Sequence, residues 1–568
     1  MGRGVAGRLL GGYRSALANR DLRLLLGALA ISSAGSWAYN VGLLALLFER
    51  THSLGWVAAG GLARWIPSLL LSTYAGVIAE RTERIRLMAG ADLLSTLWQG
   101  LLVLVAALSG PVVICLLLCA LTSVTQLVYT PAVAATLPAV ADEDSLVAAN
   151  ALNGTVDNLA VIAGPAIGAA LLLIGPPSVT FAVNAASFLV SALMVLRIRT
   201  RSVPVDVTEG GAAGAWRQMG VGVRAIVDAG AARTMVAFGL LVSFVYGTDT
   251  VLLLAVSEHR LHAGGHGFGY LLGAVGVGGV LAAIVVDRMA ASRTLAPIIF
   301  AGVAGYTLPT ALLTLTHSTG LAIALEVVRG ASTLIVDVLA ITALQRAVPA
   351  QQLARVFGVY WSLVLAAVAI GTLVTPVLVS AGGLDTALLV LAFAPCAVGA
   401  VGLPALLAID RAGAATATAL APRVAVIEHM SIFASASRAV LESLAGAMED
   451  ASFDAGTVII REGAEADDLF VLVEGEVEVT AHGEAGGPPR VLRRMTAPTY
   501  FGEIGVLERI PRTATVTAVT DCVCNTIDGE ALLAALAAAP PSKTLMENTR
   551  SYLAITHPSR RSTFAAGD

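Results

Sequence analysis

Long apolar runs alternate with short polar connections over the first 410 residues of the chain. Each run has about the 20 residues that a helix needs to cross the hydrocarbon core of a bilayer. The pattern predicts an all-α polytopic membrane domain of about twelve spans. The predicted spans are 24–47, 54–79, 87–109, 111–138, 148–174, 177–196, 235–257, 267–286, 295–316, 319–345, 356–381 and 384–408.

Arginines are distributed unevenly among the connections between these runs. The opposite, odd-numbered connections contain only Arg50 and Arg260. Because arginine and lysine accumulate in cytoplasmic loops, we expect both termini of this multi-pass protein in the cytoplasm. The even-numbered connections contain Arg81, Arg84, Arg86, Arg197, Arg199, Arg201, Arg217, Arg224, Arg233, Arg288, Arg293, Arg346 and Arg355.

Composition agrees with a membrane part joined to a soluble part. Hydrophobic residues make up 57% of the 568 residues, charged residues 13%, and the mean hydropathy is +0.81. Soluble domains have roughly 25% charged residues, so one part of the chain must be strongly apolar. The net charge of −4 indicates no general affinity for nucleic acid. Lys543 is the only lysine, which favours a GC-rich bacterial genome and hence a bacterial inner membrane.

Features of the first six spans recur in the last six. Glu80 follows the second span, and Asp287 follows the eighth span 207 residues later. Val140 and Val348 follow the fourth and tenth spans, 208 residues apart. Two markers at nearly one offset predict a duplicated six-span half, which is typical of secondary transporters that rock about a central site. The predicted repeats are about 20–200 and 230–410, with a cytosolic connection at 197–234.

Two motifs in the apolar part resemble known signatures. The connection Gly76-x-x-x-Glu80-Arg81-x-x-Arg84-x-Arg86 resembles the loop signature of the major facilitator superfamily, in which the acidic residue is more often Asp. Gly164-Pro165-x-x-Gly168 resembles the antiporter motif of the same superfamily, with alanine at its outer glycine positions. Residues 1–410 are similar to the branch that contains macrolide and siderophore exporters. The fourth span lacks the arginine that many proton antiporters have there.

The resemblance implies a transporter with a conformational-switch loop in each half. Simple charge anchoring of helix ends is the alternative interpretation of these positions. The residues of the predicted switch loops are Gly76, Glu80, Arg81, Arg84, Asp287 and Arg288.

Charged residues inside predicted spans are candidates for a transport or proton site, because they are costly to bury in lipid. On the tenth span, Glu326, Arg329 and Asp337 fall within roughly an 80° arc of a helix. Asp157 lies on the fifth span and Asp249 on the seventh. The alternative is that these carboxylates form ion pairs, with Glu326–Arg329 as a local pair. We expect at least one of the acidic residues to be essential for transport.

A different pattern begins after Asp410. Residues 411–423 are small and lack a periodic apolar face, which predicts a linker. Short alternating runs with glycine turns follow in 424–560 and predict a cytosolic antiparallel β-roll or jelly-roll domain with flanking helices. The predicted strands are 457–460, 469–473, 476–480, 490–495 and 514–527, and the predicted helices are 436–448, 529–539 and 542–555.

The stretch FGEIGVLERIPRTATV at 501–516 has the residues of an anion site. A helical turn after Gly502 would direct backbone N–H groups at a phosphate, and glycine permits a close approach. Arg512 supplies a bidentate cation, and Glu503 can accept a hydrogen bond from a ribose hydroxyl.

The same stretch resembles the phosphate-binding cassette of cyclic-nucleotide-binding domains, and the similarity extends over about 425–555. The resemblance implies cAMP or cGMP as a regulatory ligand. Thr513 leaves the base undecided, and analogy with bacterial signalling favours cAMP. A domain of this fold that has lost binding is the alternative. The implied ligand residues are Gly502, Glu503, Ile504, Gly505, Arg512, Thr513 and Ala514.

Together these patterns predict a secondary transporter, an exporter of small amphipathic molecules by proton antiport, regulated by a cyclic nucleotide. A nutrient importer and a membrane-anchored receptor without transport are the alternatives. A cyclic-nucleotide-gated channel is disfavoured, because the chain has about twice the spans of such a channel and no TVGYG-like filter. No hydrolase, kinase or metal motif is evident, so neither an enzyme nor a metal site is expected.

Overall fold

The computed structural model describes residues 17–141, 145–200, 212–428 (without 291, 293 and 349), 438–482 and 489–538. The chain divides into two compact units, Met1–Asp410 and Arg411–Asp568. The predicted helix at 542–555 lies outside the described residues.

The first unit is helical throughout its described secondary structure. Its last helical segment, α14, is interrupted at Gly383, where φ is 81°, and therefore comprises two helices. The helices are α1 (Arg20–Thr51), α2 (Leu54–Arg81), α3 (Arg84–Ala107), α4 (Val112–Gln126), α5 (Tyr129–Val140), α6 (Leu146–Ile174), α7 (Ser178–Val195), α8 (Ala212–Asp228), α9 (Gly230–His259), α10 (Gly264–Ala290), α11 (Ala296–Thr307), α12 (Pro309–Leu312), α13 (Thr319–Ala347) and α14 (Ala350–Glu428).

Every predicted span coincides with helix, so the prediction of an all-α polytopic domain is confirmed. Ten helical segments among the described residues are long and apolar enough to cross a membrane, and the segment containing α14 covers the last two predicted spans. The ninth span is formed by α11 and α12, and the fourth by α4 and α5. Helix α8 was not predicted and lies within the connection 197–234.

Glycines allow equivalent helix pairs to pack closely in both halves. A Cβ on Gly168 of α6 would lie 2.6 Å from the carbonyl oxygen of Ala38 on α1. In the second half, Gly371 of α14 packs directly against the carbonyl of Phe244 on α9. Small residues at such contacts let helix backbones approach each other in a membrane. The first and fifth spans therefore pack as the seventh and eleventh do, as expected for a duplicated half.

The second unit contains two four-stranded antiparallel sheets with strand orders β1-β8-β3-β6 and β2-β7-β4-β5. This arrangement confirms the predicted antiparallel roll with flanking helices. The strands are β1 (Met448–Phe453), β2 (Val458–Ile460), β3 (Asp468–Glu474), β4 (Glu476–Ala481), β5 (Arg490–Thr496), β6 (Thr499–Phe501), β7 (Thr515–Ala518) and β8 (Cys522–Asp528). The helices are α15 (Arg438–Gly446), α16 (Glu503–Glu508) and α17 (Gly529–Ala538).

Some predicted boundaries in this unit were wrong. The helix predicted to extend to residue 448 ends at Gly446, because Met448 begins β1 and pairs with Ile527. The strand predicted at 514–527 is two strands that belong to different sheets. The polar strand β1 was missed because its sequence, MEDASF, has only one buried residue.

Residues 411–428 are helical, although 411–423 were predicted to be a linker without an element. Val424 and Ile427 are fully buried in the core of the second unit, together with Leu444 of α15. Arg423 donates a hydrogen bond of 2.8 Å to the carbonyl of Met448. This helix is therefore part of the packed core of the second unit.

Candidate nucleotide pocket and intramembrane charge cluster

A cleft, open at its mouth, lies between the β-roll and α16. All seven residues that the sequence analysis assigned to a ligand site line this cleft, so the structure brings them together. The lining residues are Ile460, Val479, Arg493, Phe501, Gly502, Glu503, Ile504, Gly505, Arg512, Thr513, Ala514 and Val516.

At two glycine positions of the cleft, neighbouring atoms leave no room for a side chain. Gly502 has φ 86°, in the left-handed region, and immediately precedes α16. A Cβ at this position would lie 2.7 Å from Nη1 of Arg512. A Cβ on Gly505 would lie 2.5 Å from the Cβ of Ala466. Because neither glycine has a side chain, the backbone of this turn can approach both the arginine and a ligand.

The guanidinium of Arg512 is fixed at the base of the cleft by backbone carbonyls. Nη1 donates to the carbonyl of Gly502 at 2.9 Å, and Nη2 donates to the carbonyl of Asp468 at 2.8 Å. The residue is 7% exposed, and burial lowers the pKa of its side chain from the ordinary value. An arginine remains charged at any physiological pH. Its described hydrogen bonds use one donor each of Nη1 and Nη2, so further N–H donors of this lining residue can bind a phosphate.

Glu503 is the first residue of α16 and is 3% exposed. Burial raises the pKa of its carboxyl group, while the positive charges of Arg493 and Arg512 oppose that rise. A carboxylate in this position is a strong hydrogen-bond acceptor for a sugar hydroxyl.

Arg493 is a lining residue that the sequence analysis missed. It pairs with Val479 across β4 and β5, and both residues line the cleft. Its neighbour Arg494 points the other way and donates to Glu478 at 2.9 Å. Because side chains alternate along a strand, the buried residue Met495 identifies the inner face. That alternation was the available signal for Arg493.

In the first unit, three of the predicted charged residues form one buried cluster. Nη2 of Arg329 lies 2.6 Å from Oδ1 of Asp249, and Nη1 lies 2.8 Å from both carboxylate oxygens of Glu326. Tyr306 completes the cluster: its hydroxyl donates to Oδ2 of Asp249 at 2.8 Å, and its backbone carbonyl accepts from Nε of Arg329 at 2.9 Å. Side chains of Asp249, Glu326 and Arg329 are at most 4% exposed. The ion-pair interpretation of these residues is therefore correct for this conformation.

The other predicted intramembrane residues lie outside these contacts. Asp157 is exposed on α6, and Asp337 is half-buried on α13, within electrostatic reach of Tyr246 and Tyr360. The structure therefore does not assemble all the acidic candidates into one site.

The predicted switch-loop residues lie at helix ends. Arg81 is the exposed last residue of α2, and Arg84 begins α3 and donates to the carbonyl of Ala135 at 3.1 Å. Gly76 has no atom near its missing Cβ. Glu80, in α2, and Asp287, in α10, have side chains outside the described part of the structure, and Arg288 is exposed.

A cavity lies between the two six-helix halves of the first unit. Helices α1 and α2 contribute to one wall, and α9 and α10 contribute to the other. Asp249 lines the cavity and also belongs to the buried charge cluster, so the two features are contiguous. The lining residues are Trp37, Asn40, Gly61, Trp65, Tyr246, Asp249, Thr250, Phe268, Leu272 and Val275.

Comparisons with known proteins agree with this division of the chain. A family model described as "Transmembrane secretion effector" matches residues 13–430, and a model described as "Cyclic nucleotide-binding domain" matches residues 451–539. The staphyloferrin A transporter of Staphylococcus aureus is 26% identical over 176 residues, which cover 30% of this chain and 44% of that protein.

The second unit has relatives among signalling proteins. A cAMP-dependent protein kinase regulatory subunit of Dictyostelium discoideum is 36% identical over 104 residues, covering 18% of this chain and 32% of that protein. The structure of the regulatory domain of Toxoplasma gondii PKA with cAMP is 21% identical, with a TM-score of 0.22, and covers 27% of this chain and 56% of that one. The chain thus spans less than half of the length of these two curated relatives.

The two family models together cover most of the chain, in the same order as the helical unit and the β-roll unit. The protein belongs to the transmembrane secretion effectors of the major facilitator superfamily, and it has a cyclic nucleotide-binding domain after its transporter domain.

Proposed function

We propose that the protein exports small amphipathic molecules by proton antiport, and that binding of a cyclic nucleotide in its cytosolic domain regulates this export. It would reside in the inner membrane of a bacterium with both termini in the cytoplasm. The observation that supports transport most directly is the position of Asp249, which lines the cavity between the halves and contacts Arg329.

The charge cluster is suited to binding a proton. One arginine faces two carboxylates, Asp249 and Glu326, so the fully ionised cluster has a net negative charge. An uncompensated charge inside a membrane domain is costly. One proton shared by the two carboxyl groups removes that cost. A movement of α9 relative to α13 would change the distances within the cluster and therefore its affinity for the proton. Glu326, which contacts Arg329 through both oxygens without lining the cavity, is the residue we assign to proton binding.

The cavity is the proposed binding site of the cargo that is exchanged for the proton. Its walls come from both halves, so a rocking movement of the halves would open it to alternate sides of the membrane. A cargo molecule that contacts Asp249 or its neighbours alters the same carboxylate that Arg329 and Tyr306 hold. Occupation of the cavity by cargo and protonation of the charge cluster would therefore be linked through Asp249, as coupled transport requires.

In the cytosolic domain, Arg512 would bind the cyclic phosphate and Glu503 would accept a hydrogen bond from the ribose hydroxyl. Both side chains are buried where they line the cleft, and groups held in place by their surroundings lose little freedom on binding. A ligand can shift a transporter from one state to another only if it binds the two states with different affinities. The helix at 411–428 is the element through which we expect this difference to act, because its Val424 and Ile427 lie in the core of the domain.

The base preference should depend on Arg493. The edge of guanine presents two acceptors, N7 and O6, to which a guanidinium donates, whereas adenine presents an amino donor beside N7. We expect Arg493→Ala to weaken cGMP binding about tenfold more than cAMP binding, since a good bidentate contact contributes about 1–3 kcal/mol.

Calorimetric titration of the purified full-length protein with each nucleotide measures this ratio. Arg494→Ala, which changes the outward-facing neighbour, is the matched control and should leave both affinities unchanged. Equal losses for both nucleotides in Arg493→Ala would contradict the assignment and favour a phosphate contact for this arginine. The preference for cAMP that analogy suggests is tested in the same titration of the unmodified protein.

Proton movement in proteoliposomes tests the proposed transport. We expect an imposed pH gradient to collapse faster when cargo is present on the side opposite the protons, and cyclic nucleotide to change that rate. Proton and cargo movement in the same direction would indicate an importer instead. Nucleotide binding without cargo-dependent proton flux for any compound of a broad amphipathic panel would indicate a receptor without transport.

A further inference from the structure

A second arginine lies beside the cavity without a carboxylate partner. Arg64 is a half-buried residue of the apolar helix α2. Its guanidinium carbon lies 5.0 Å from the ring centroid of Trp37 and 5.4 Å from that of Trp65. One Nη donates to the carbonyl of Ser36 at 3.3 Å. None of the ion pairs among the described residues includes Arg64.

The aromatic rings stabilise this cation but do not neutralise it. A cation over an indole ring is attracted by the quadrupole of the ring, and both rings that flank Arg64 also line the cavity. A guanidinium has five N–H donors, of which one is used by Ser36. Ionisable groups within membrane spans normally pair with an opposite charge or face an aqueous cavity. Arg64 therefore places a positive charge and unused donors beside two of the rings that line the cavity.

The one acidic residue among the lining residues of the cavity is not available to a cationic ligand. Asp249 has Oδ1 bound to Arg329 at 2.6 Å and Oδ2 bound to the hydroxyl of Tyr306 at 2.8 Å. The remaining lining residues are neutral, and several are aromatic or aliphatic. Arg64 does not itself line the cavity, but it contacts two rings of the wall, so it places a positive charge, unpaired among the described residues, next to the cavity.

We propose that the transported molecule is an amphipathic anion, whose carboxylate or other acidic group binds Arg64 and whose apolar body packs against Phe268, Leu272 and Trp65. The proposal rests on the proposed transport function and specifies its substrate class. Asn40 and Thr250 supply neutral hydrogen-bonding groups from the two opposite walls of the cavity.

Three probes with one ring system and different charge test the substrate class. Naphthoate is anionic, naphthylmethylammonium is cationic and naphthalenemethanol is neutral. Equilibrium dialysis against the full-length protein in lipid nanodiscs should show naphthoate binding at least about tenfold more tightly than the other two probes, as expected for a charge-assisted contact. Equal binding of all three, or tighter binding of the cation, would overturn the proposal without any mutant.

Substitutions of Arg64 test whether this residue causes the preference for the anionic probe. Arg64→Gln should reduce naphthoate affinity about tenfold to a hundredfold and leave naphthalenemethanol unchanged, whereas Arg64→Lys should retain the preference for the anion. Arg233→Gln, which removes an exposed arginine on α9, is the matched control. Naphthoate affinity unchanged in Arg64→Gln would refute the role of this residue. Because dialysis measures binding alone, anion preference without proton-coupled flux in proteoliposomes would contradict the proposed proton antiport, whereas the assignment of an anion-binding site to Arg64 would stand.

Discussion

Replacing Arg329 with glutamine should abolish proton-coupled transport and destabilise the membrane domain by about 3–5 kcal/mol. The substitution leaves Asp249 and Glu326 buried with no cation, although both are at most 4% exposed. Thermal unfolding of the protein in nanodiscs measures the loss of stability, and proton flux in proteoliposomes measures the loss of transport.

A second substitution separates charge from shape in the same cluster. Glu326→Gln in the Arg329→Gln background removes one of the uncompensated carboxylates and should recover part of the lost stability, since the two residues are in direct contact. Transport should remain absent, because the assigned proton-binding group is gone. Glu326→Gln alone should fold normally and fail to move protons, while Asp228→Asn, at an exposed position in α8, should behave like the wild type. Normal flux in Glu326→Gln would refute the proton assignment.

Arg512→Ala should weaken cyclic nucleotide binding about tenfold to a hundredfold, because a charge-assisted hydrogen-bonded pair contributes roughly 1.5–3 kcal/mol. The variant should transport like the unliganded wild type and stay in that state when nucleotide is added at a concentration that just saturates the wild type. Calorimetry and proton flux measured on one preparation test both statements.

Arg512 also has a structural role, which the experiment must separate from ligand binding. Its guanidinium connects the carbonyls of Gly502 and Asp468. Arg512→Lys keeps the charge but cannot bind both carbonyls and a phosphate through a planar fork. We expect intermediate affinity for this variant. Full affinity in either variant would contradict the phosphate assignment, and wild-type transport that does not respond to nucleotide would contradict the regulatory coupling.

The sequence was most informative where one residue type has one physical function. Apolar runs of membrane length predicted all the spans, and the glycines and arginine of 501–516 predicted a cleft that the structure assembles. Tyr306 was not predictable, because it contributes a hydroxyl and a backbone carbonyl from an otherwise apolar helix. The partnership of Asp249 with Arg329 joins positions 80 residues apart, which no local pattern specifies.

The helix at 411–428 was missed for a different reason. Threonines and the absence of an apolar stripe indicated a linker, whereas the many alanines favour a helix by intrinsic propensity. The helix is amphipathic only in its last turns, where Val424 and Ile427 are buried. Only this short stretch has an apolar face that packs against the domain. Hydrophobicity averaged over the whole segment does not reveal that face.

Sharing one arginine between two carboxylates also has an electrical consequence. If Glu326 binds the proton of the proposed antiport, each proton carried moves one positive charge through the membrane, and a unit charge is worth about 2.3 kcal/mol per 100 mV of membrane potential. Exchange of an incoming proton for an outgoing monovalent anion displaces about two charges per cycle in the same electrical direction. An inside-negative voltage would then drive export even when the pH is equal on both sides. The protein would work as a current source, and its turnover would be measurable with electrodes.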